Sequence, residues 1–145
     1  GSVRCVYETD PVPLAKAASG GELSRVRLAL EVVAAQTQTP QTFVFDEIDS
    51  GVGGAVGIEI GRRLRQLARR HQVIVVTHLA QVAAFADTHV VITKASDGAV
   101  TSSGLREVIG ADREIELSRM MSGMVDSESG HEHAHDLLRE VRQRD

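Results

Sequence analysis

The sequence has 145 residues, 42% hydrophobic and 25% charged, enough for one domain with a real core. A formal net charge of −4 speaks against a strongly basic nucleic-acid-binding domain, though not against a local basic face. At 3% aromatics, a stacking platform for single-stranded nucleic acid is not expected. The one cysteine, Cys5, excludes an intrachain disulfide, fits a reducing cytosol and reads as a small strand residue. No apolar run approaches the ~20 residues that span a bilayer, so no membrane role is expected. No signal-peptide pattern is visible, and Gly1-Ser2 reads as a cloning scar.

In chain order, Val3–Tyr7 has the alternation of a short strand, and Pro11 and Pro13 force an extended passage. From Gly20 to about Gln36 the pattern is helical, with Leu23, Val26, Leu30 and Val33 at spacings of three and four. Thr42–Phe45 is continuously apolar and reads as a buried strand. A Gly-rich turn over Ser50–Gly54 leads to a helix from about Ala55 to Arg70, with Ile58, Leu64, Leu67 and Ala68 as its inner side. Val73–Val76 reads as a second buried strand, followed by a short helix from Leu79 to Ala86. His89–Thr93 and Ala99–Ser102 are expected strands, joined by a hairpin turn at Lys94–Gly98 where Asp97-Gly98 suits positive backbone angles. Two helices, about Asp112–Met121 and His131–Gln143, close the chain across a polar linker. Strands alternating with helices predict an α/β fold with a mainly parallel sheet and flanking helices.

Three segments carry chemistry. In Ser19-Gly-Gly-Glu22, two glycines at a helix start leave backbone N–H groups uncovered, which with the helix dipole makes an anion site; Ser19 adds a hydroxyl. A capping box between Ser19 and Glu22 explains those two residues equally well, but not Gly20 and Gly21, because glycine in a first turn costs roughly 1 kcal/mol against alanine. In Phe43–Glu47, an apolar strand ends in two acids. At the carboxyl end of a strand, where α/β sheets bind ligands, Asp46 is placed to hold Mg²⁺. Strand alternation aims Glu47 away from Asp46, toward an attacking water. Capping of the next turn is the plainer use of both. His78, 31 residues after Glu47, follows the second strand and is placed either as a structural residue or as a donor to a terminal phosphate.

Together, in this order, the segments resemble the ABC ATPase superfamily. Ser19–Glu22 match its signature motif, Phe43–Glu47 its Walker B motif and His78 its switch histidine. Ile48-Asp49 after the glutamate resembles the SMC-type DNA-organising ATPases and not the transporters, which usually continue Pro-Thr-Ser. Asp49–Gly54, Gly61–Leu64 and Val75–Asp87 resemble one bacterial DNA-repair branch of that type. The likeness is close over about 14–94 and looser elsewhere. Two positions depart from the pattern: Gly53 stands where the D-loop ends in aspartate, and Ala80 where a proline is common.

The resemblance implies the C-terminal lobe of a P-loop ATPase head, in three parts: an N-terminal strand and linker over 1–13, the lobe over 14–103 and a helical tail over 104–145. It implies ATP and Mg²⁺ as cofactors, with Asp46 on the metal and Glu47 and His78 acting on the head's own ATP. Ser19, Gly20, Gly21 and Glu22 would face the γ-phosphate held by a second copy, with Asp49 and Ser50 in the D-loop region beside it. A phosphate-cradling Gly-x-x-x-x-Gly-Lys-Ser/Thr is missing: the lysines are Lys16 and Lys94, and neither follows a glycine. The expected partners are therefore an N-terminal half bearing that loop, a second head, and DNA through the intact protein. The implied function is DNA double-strand break repair and recombination in the cytoplasm, at the nucleoid. The alternative is a docking module for an ATPase whose P-loop is on a separate subunit.

Two further groupings stand out. Arg62, Arg63, Arg65, Arg69, Arg70 and His71 read as a basic helix surface, solvated or touching a DNA backbone. His131 and His135 fall on one helical face at the spacing of a metal pair.

Overall fold

The computed structural model describes residues 20–34, 39–96, 101–123 and 128–143. The expected Val3–Tyr7 strand, Cys5, the proline passage, Lys16 and Ser19 lie outside the described residues, as do Asp97 and Gly98 of the expected turn.

Helix α1 (Gly20–Ala34) leads into β1 (Thr42–Asp46), α2 (Gly54–Ala68) and β2 (Gln72–Val76). β1 and β2 pair in parallel with Thr42 opposite Gln72 and Asp46 opposite Val76, so both strands end at one edge. The helical crossover between them is what a parallel pair requires. The short helix α3 (Ala80–Ala83) follows, then an antiparallel hairpin of β3 (His89–Ser96) and β4 (Thr101–Val108), then α4 (Gly110–Ser122) and α5 (Glu128–Gln143). The expected elements are all present where the structure describes them. The hairpin strands are longer than expected, because register runs unbroken from His89–Val108 to Ser96–Thr101, and β4 therefore crosses position 103.

Two cores hold these elements. One joins Leu28 of α1, Phe43 and Phe45 of β1, Ile60, Leu64 and Leu67 of α2, and Ile48 and Val82. The other packs Ala80, Ala83, Ala84 and Phe85 against Leu117 of α4 and Ala134, Leu137 and Val141 of α5. Arg113 fastens this second unit by donating from Nη2 to the carbonyls of Ala83, Ala84 and Ala86.

Two sequence expectations are corrected. The strands are not buried on both faces: Phe43 and Phe45 point into the core, whereas Val44, Ile74 and Val76 are exposed, because helices of the described residues cover one face of the pair. The apolar stripe expected on α1 is also turned outward. Val26, Leu30 and Val33 are exposed and Leu28 is the residue that enters the core, supported by half-buried Val32.

Close packing of α2 on α3 requires glycine at 61. A Cβ there would lie 2.3 Å from Phe85 Cδ2, a distance no real contact reaches. In an open helix, alanine would gain roughly 0.5–1 kcal/mol over glycine. Here overlap with a buried ring reverses the sign, and Gly61→Ala is expected to destabilise by about 1–3 kcal/mol. Phe85→Leu in the same chain should recover part of the loss. Denaturation midpoints check this, and an unchanged or raised midpoint for Gly61→Ala contradicts the packing account.

Among the described residues, no helix is long and apolar enough to cross a membrane.

Candidate active site

The parallel register brings the motif residues to one edge. Asp46 closes β1 opposite Val76, and Thr77 and His78 follow directly on the neighbouring strand. Asp46 and Glu47 are both exposed. Glu47 has a φ of +54°, the left-handed region that side-chain-bearing residues seldom adopt. The chain turns sharply there: Glu47 O accepts a hydrogen bond from Ser50 N at 3.0 Å. β1 thus ends at Asp46, and strand alternation no longer sets the direction of Glu47, contrary to the sequence argument. Such strain costs of order 1–3 kcal/mol and persists only where neighbours enforce it.

Those neighbours come from the N-terminus of α1. Arg25 Nη1 donates to Ile48 O at 3.1 Å and to Ser50 O at 3.0 Å, gripping the turn on both sides of Asp49. Ser24 Oγ lies 3.4 Å from Asp46 O. Gly21 is packed so closely that a Cβ would meet Glu47 O at 2.9 Å and the Ser50 side chain at 3.0 Å. Gly21 therefore has a packing reason as well as the anion-binding reason its sequence suggests. The Glu47–Ser50 turn and the glycine-rich helix start form one surface, with Glu22 and Ser50 exposed on it.

His78 projects from the β2 end with its side chain 73% exposed. Its Nδ1 lies 3.1 Å from Asp49 Oδ2, and the Asp49 side chain is only 1% exposed. Asp49 was expected in the D-loop region, and its carboxylate turns inward. It accepts from Thr77 Oγ1, from His78 N at 2.9 Å and from Leu79 N at 3.2 Å. Burial opposes its charge, but the donors of Thr77 and the His78 backbone outweigh that and hold the carboxyl below its ordinary pKa.

Asp46 fits a magnesium ion in donor type and position. It is an exposed carboxylate at a strand end, and Mg²⁺ is commonly held by one or two carboxylates with substrate phosphates and water completing the octahedron. Among the described residues, no group of three or more His, Cys, Asp or Glu is placed for a metal. His131 and His135 share a recess with Glu114, Glu132 and Asp136. The arginine surface is also less basic than its sequence reads. Glu59 binds Arg62 and Arg63, which hold its pKa down to about 2, and His71 is buried edge-on against Phe43.

Sequence reasoning missed Arg25 and Thr77. A signal existed for Thr77, a hydroxyl directly before His78 with an extra acid, Asp49, in the facing loop. For Arg25 only the turn geometry discloses the role.

Comparison with known proteins decides the kinship. No protein-family model matches the chain. The DNA repair protein RecN of Streptomyces coelicolor is 57% identical over 130 residues, which cover 90% of this chain and 23% of that protein. RecN of Mycobacterium leprae is 58% identical over 132 residues, 90% of this chain and 22% of that protein. The chain is RecN-type. RecN is the DNA-repair branch that residues 49–54, 61–64 and 75–87 resemble. RecN of the more distant Xylella fastidiosa is still 44% identical over 133 residues, 92% of this chain and 24% of that protein. This RecN-type chain thus spans under a quarter of the length of these relatives. Its fold matches a solved structure described under the structural biochemistry of ATP-driven dimerization and DNA-stimulated activation of SMC ATPases. The TM-score is 0.51 at 21% identity, over 78% of this chain and 68% of that one. The α/β lobe of an SMC ATPase head is therefore the fold of the RecN-type chain.

Proposed function

We propose that the chain supplies the C-terminal part of an ATP-hydrolysing, SMC-like head that acts in DNA double-strand break repair and recombination. The observation carrying this reading is the convergence, at one edge of a parallel strand pair, of an exposed aspartate, a strained glutamate and a tethered histidine, with a glycine-rich helix start packed on the same turn. Asp46 would hold Mg²⁺, which neutralises charge on the transferring phosphate when bound. Glu47 would orient and deprotonate the water, and His78 would meet the γ-phosphate. Ser19, Gly20, Gly21 and Glu22 would act on ATP held by the second head, with Ser50 lining the same turn.

The phosphate cradle belongs to an N-terminal half of the parent. The exposed Val44, Ile74 and Val76 face supports such a partner, since an apolar sheet face of this kind calls for a cover. A P-loop on a separate subunit would use the same face, and the two arrangements differ in whether the parent gene encodes that loop upstream. On this reading the 145-residue chain alone neither binds Mg-ATP tightly nor turns it over. Calorimetric titration is the test: micromolar affinity, or steady hydrolysis by a clean preparation, contradicts the half-site reading.

A further inference from the structure

An ionised carboxylate that is 1% exposed is costly unless donors compensate it. Asp49 draws its compensation from one three-residue segment, through the Thr77 hydroxyl and the backbone N–H groups of His78 and Leu79. Thr77 Oγ1 also accepts from Leu79 N at 3.1 Å. These bonds explain why the segment after β2 has its shape. They do not require the imidazole of His78, yet its Nδ1 lies 3.1 Å from the same Oδ2 while the rest of the ring is in solvent. An exposed histidine with no tether exchanges rotamers and takes either tautomer. A buried, ionised carboxylate only accepts, so the nitrogen facing it must carry a proton.

We propose that Asp49 is a positioning residue that keeps the His78 proton on Nδ1 and presents Nε2 outward to the anion. The proposal deepens the reading of His78 as the γ-phosphate contact and rests on it for its catalytic meaning. Asp49 then joins two functions that the sequence places 29 residues apart: it lies within the turn that follows Glu47, and it orients the histidine at the end of the neighbouring strand. Nε2, on the far side of the ring from the carboxylate, then faces the phosphate oxygen. Carboxylate–histidine pairs that orient a functional ring work in this way at metal sites.

The test has a spectroscopic arm and a kinetic arm. Long-range ¹H–¹⁵N correlation spectra of the ¹⁵N-histidine-labelled chain, taken where imidazole is neutral, identify the tautomer, with His78→Gln assigning the signal. His78 is expected protonated on Nδ1, and Asp49→Ala should move the proton to Nε2. A wild-type His78 protonated on Nε2 overturns the proposal, and that single spectrum decides even if Asp49→Ala fails to fold. In the intact parent, Asp49→Asn keeps the shape and an acceptor oxygen. It should lower kcat about 10- to 100-fold with KM for ATP unchanged, more than any fall in Tm accounts for. Unchanged kcat, or a loss tracked by Tm, overturns the positioning role. His78→Ala is measured beside it: full activity there removes the γ-phosphate reading of His78 while leaving the tautomer result to stand by itself.

Discussion

Glu47→Gln in the intact parent is expected to lower ATP turnover by about 100-fold or more, the scale of a lost general base, while ATP binding and ATP-driven head pairing persist. The amide has the size of the carboxylate and adopts the same backbone, so the φ of +54° and the Ser50 N to Glu47 O bond survive the change. What disappears is the capacity to take a proton from water. Glu47 is exposed and sits beyond the end of β1, where a substrate water has access, and no core contact depends on its side chain. Steady-state hydrolysis together with a nucleotide-binding titration checks both halves of the expectation. Near-normal turnover removes Glu47 from the role. Turnover lost together with binding assigns the residue to holding nucleotide and not to chemistry.

The placement of Asp46, Glu47 and His78 was legible in the sequence because strand order and apolar runs are local signals. A run of Phe43-Val-Phe45 followed by acids, and Val73–Val76 followed by Thr77-His78, place three polar groups at strand ends whatever packs around them. The burial pattern was less legible. Val44, Ile74 and Val76 are as apolar as their neighbours, and periodicity alone does not tell a strand buried on both faces from one that awaits a cover. The α1 stripe failed in the same way: Val26, Leu30 and Val33 form a regular pattern, but the strand pair packs against Leu28 and Val32. Asp49 illustrates the limit of motif reading. Its likeness to the SMC type places it in a loop but not the direction of its side chain, which is set by three donors some thirty positions downstream.

The second large effect concerns Ser19. Aspartate caps a helix as well as serine does, so Ser19→Asp should leave the melting temperature of the parent unchanged if capping is the whole role. If the helix start faces a γ-phosphate on the opposite head, the substitution sets two anions together. Unit charges ~4 Å apart repel by about 4 kcal/mol at an effective dielectric constant of 20, an upper guide to the effect. ATP-driven pairing and hydrolysis should then be lost, with ATP binding to each separate head retained. Unchanged activity of Ser19→Asp would return the residue to capping alone.

The composite site is the central claim, and mixing two inactive parents tests it most directly: one carries Ser19→Asp and the other Glu47→Gln. If Ser19 acts across the dimer and Glu47 within its own head, a mixed pair gathers both lesions in one site and leaves the other site whole. ATPase activity absent from either variant alone should therefore reappear on mixing. If both residues serve the same head, each site of a mixed pair keeps one lesion. Continued inactivity, with mixed pairs verified by differential tags, would contradict the account.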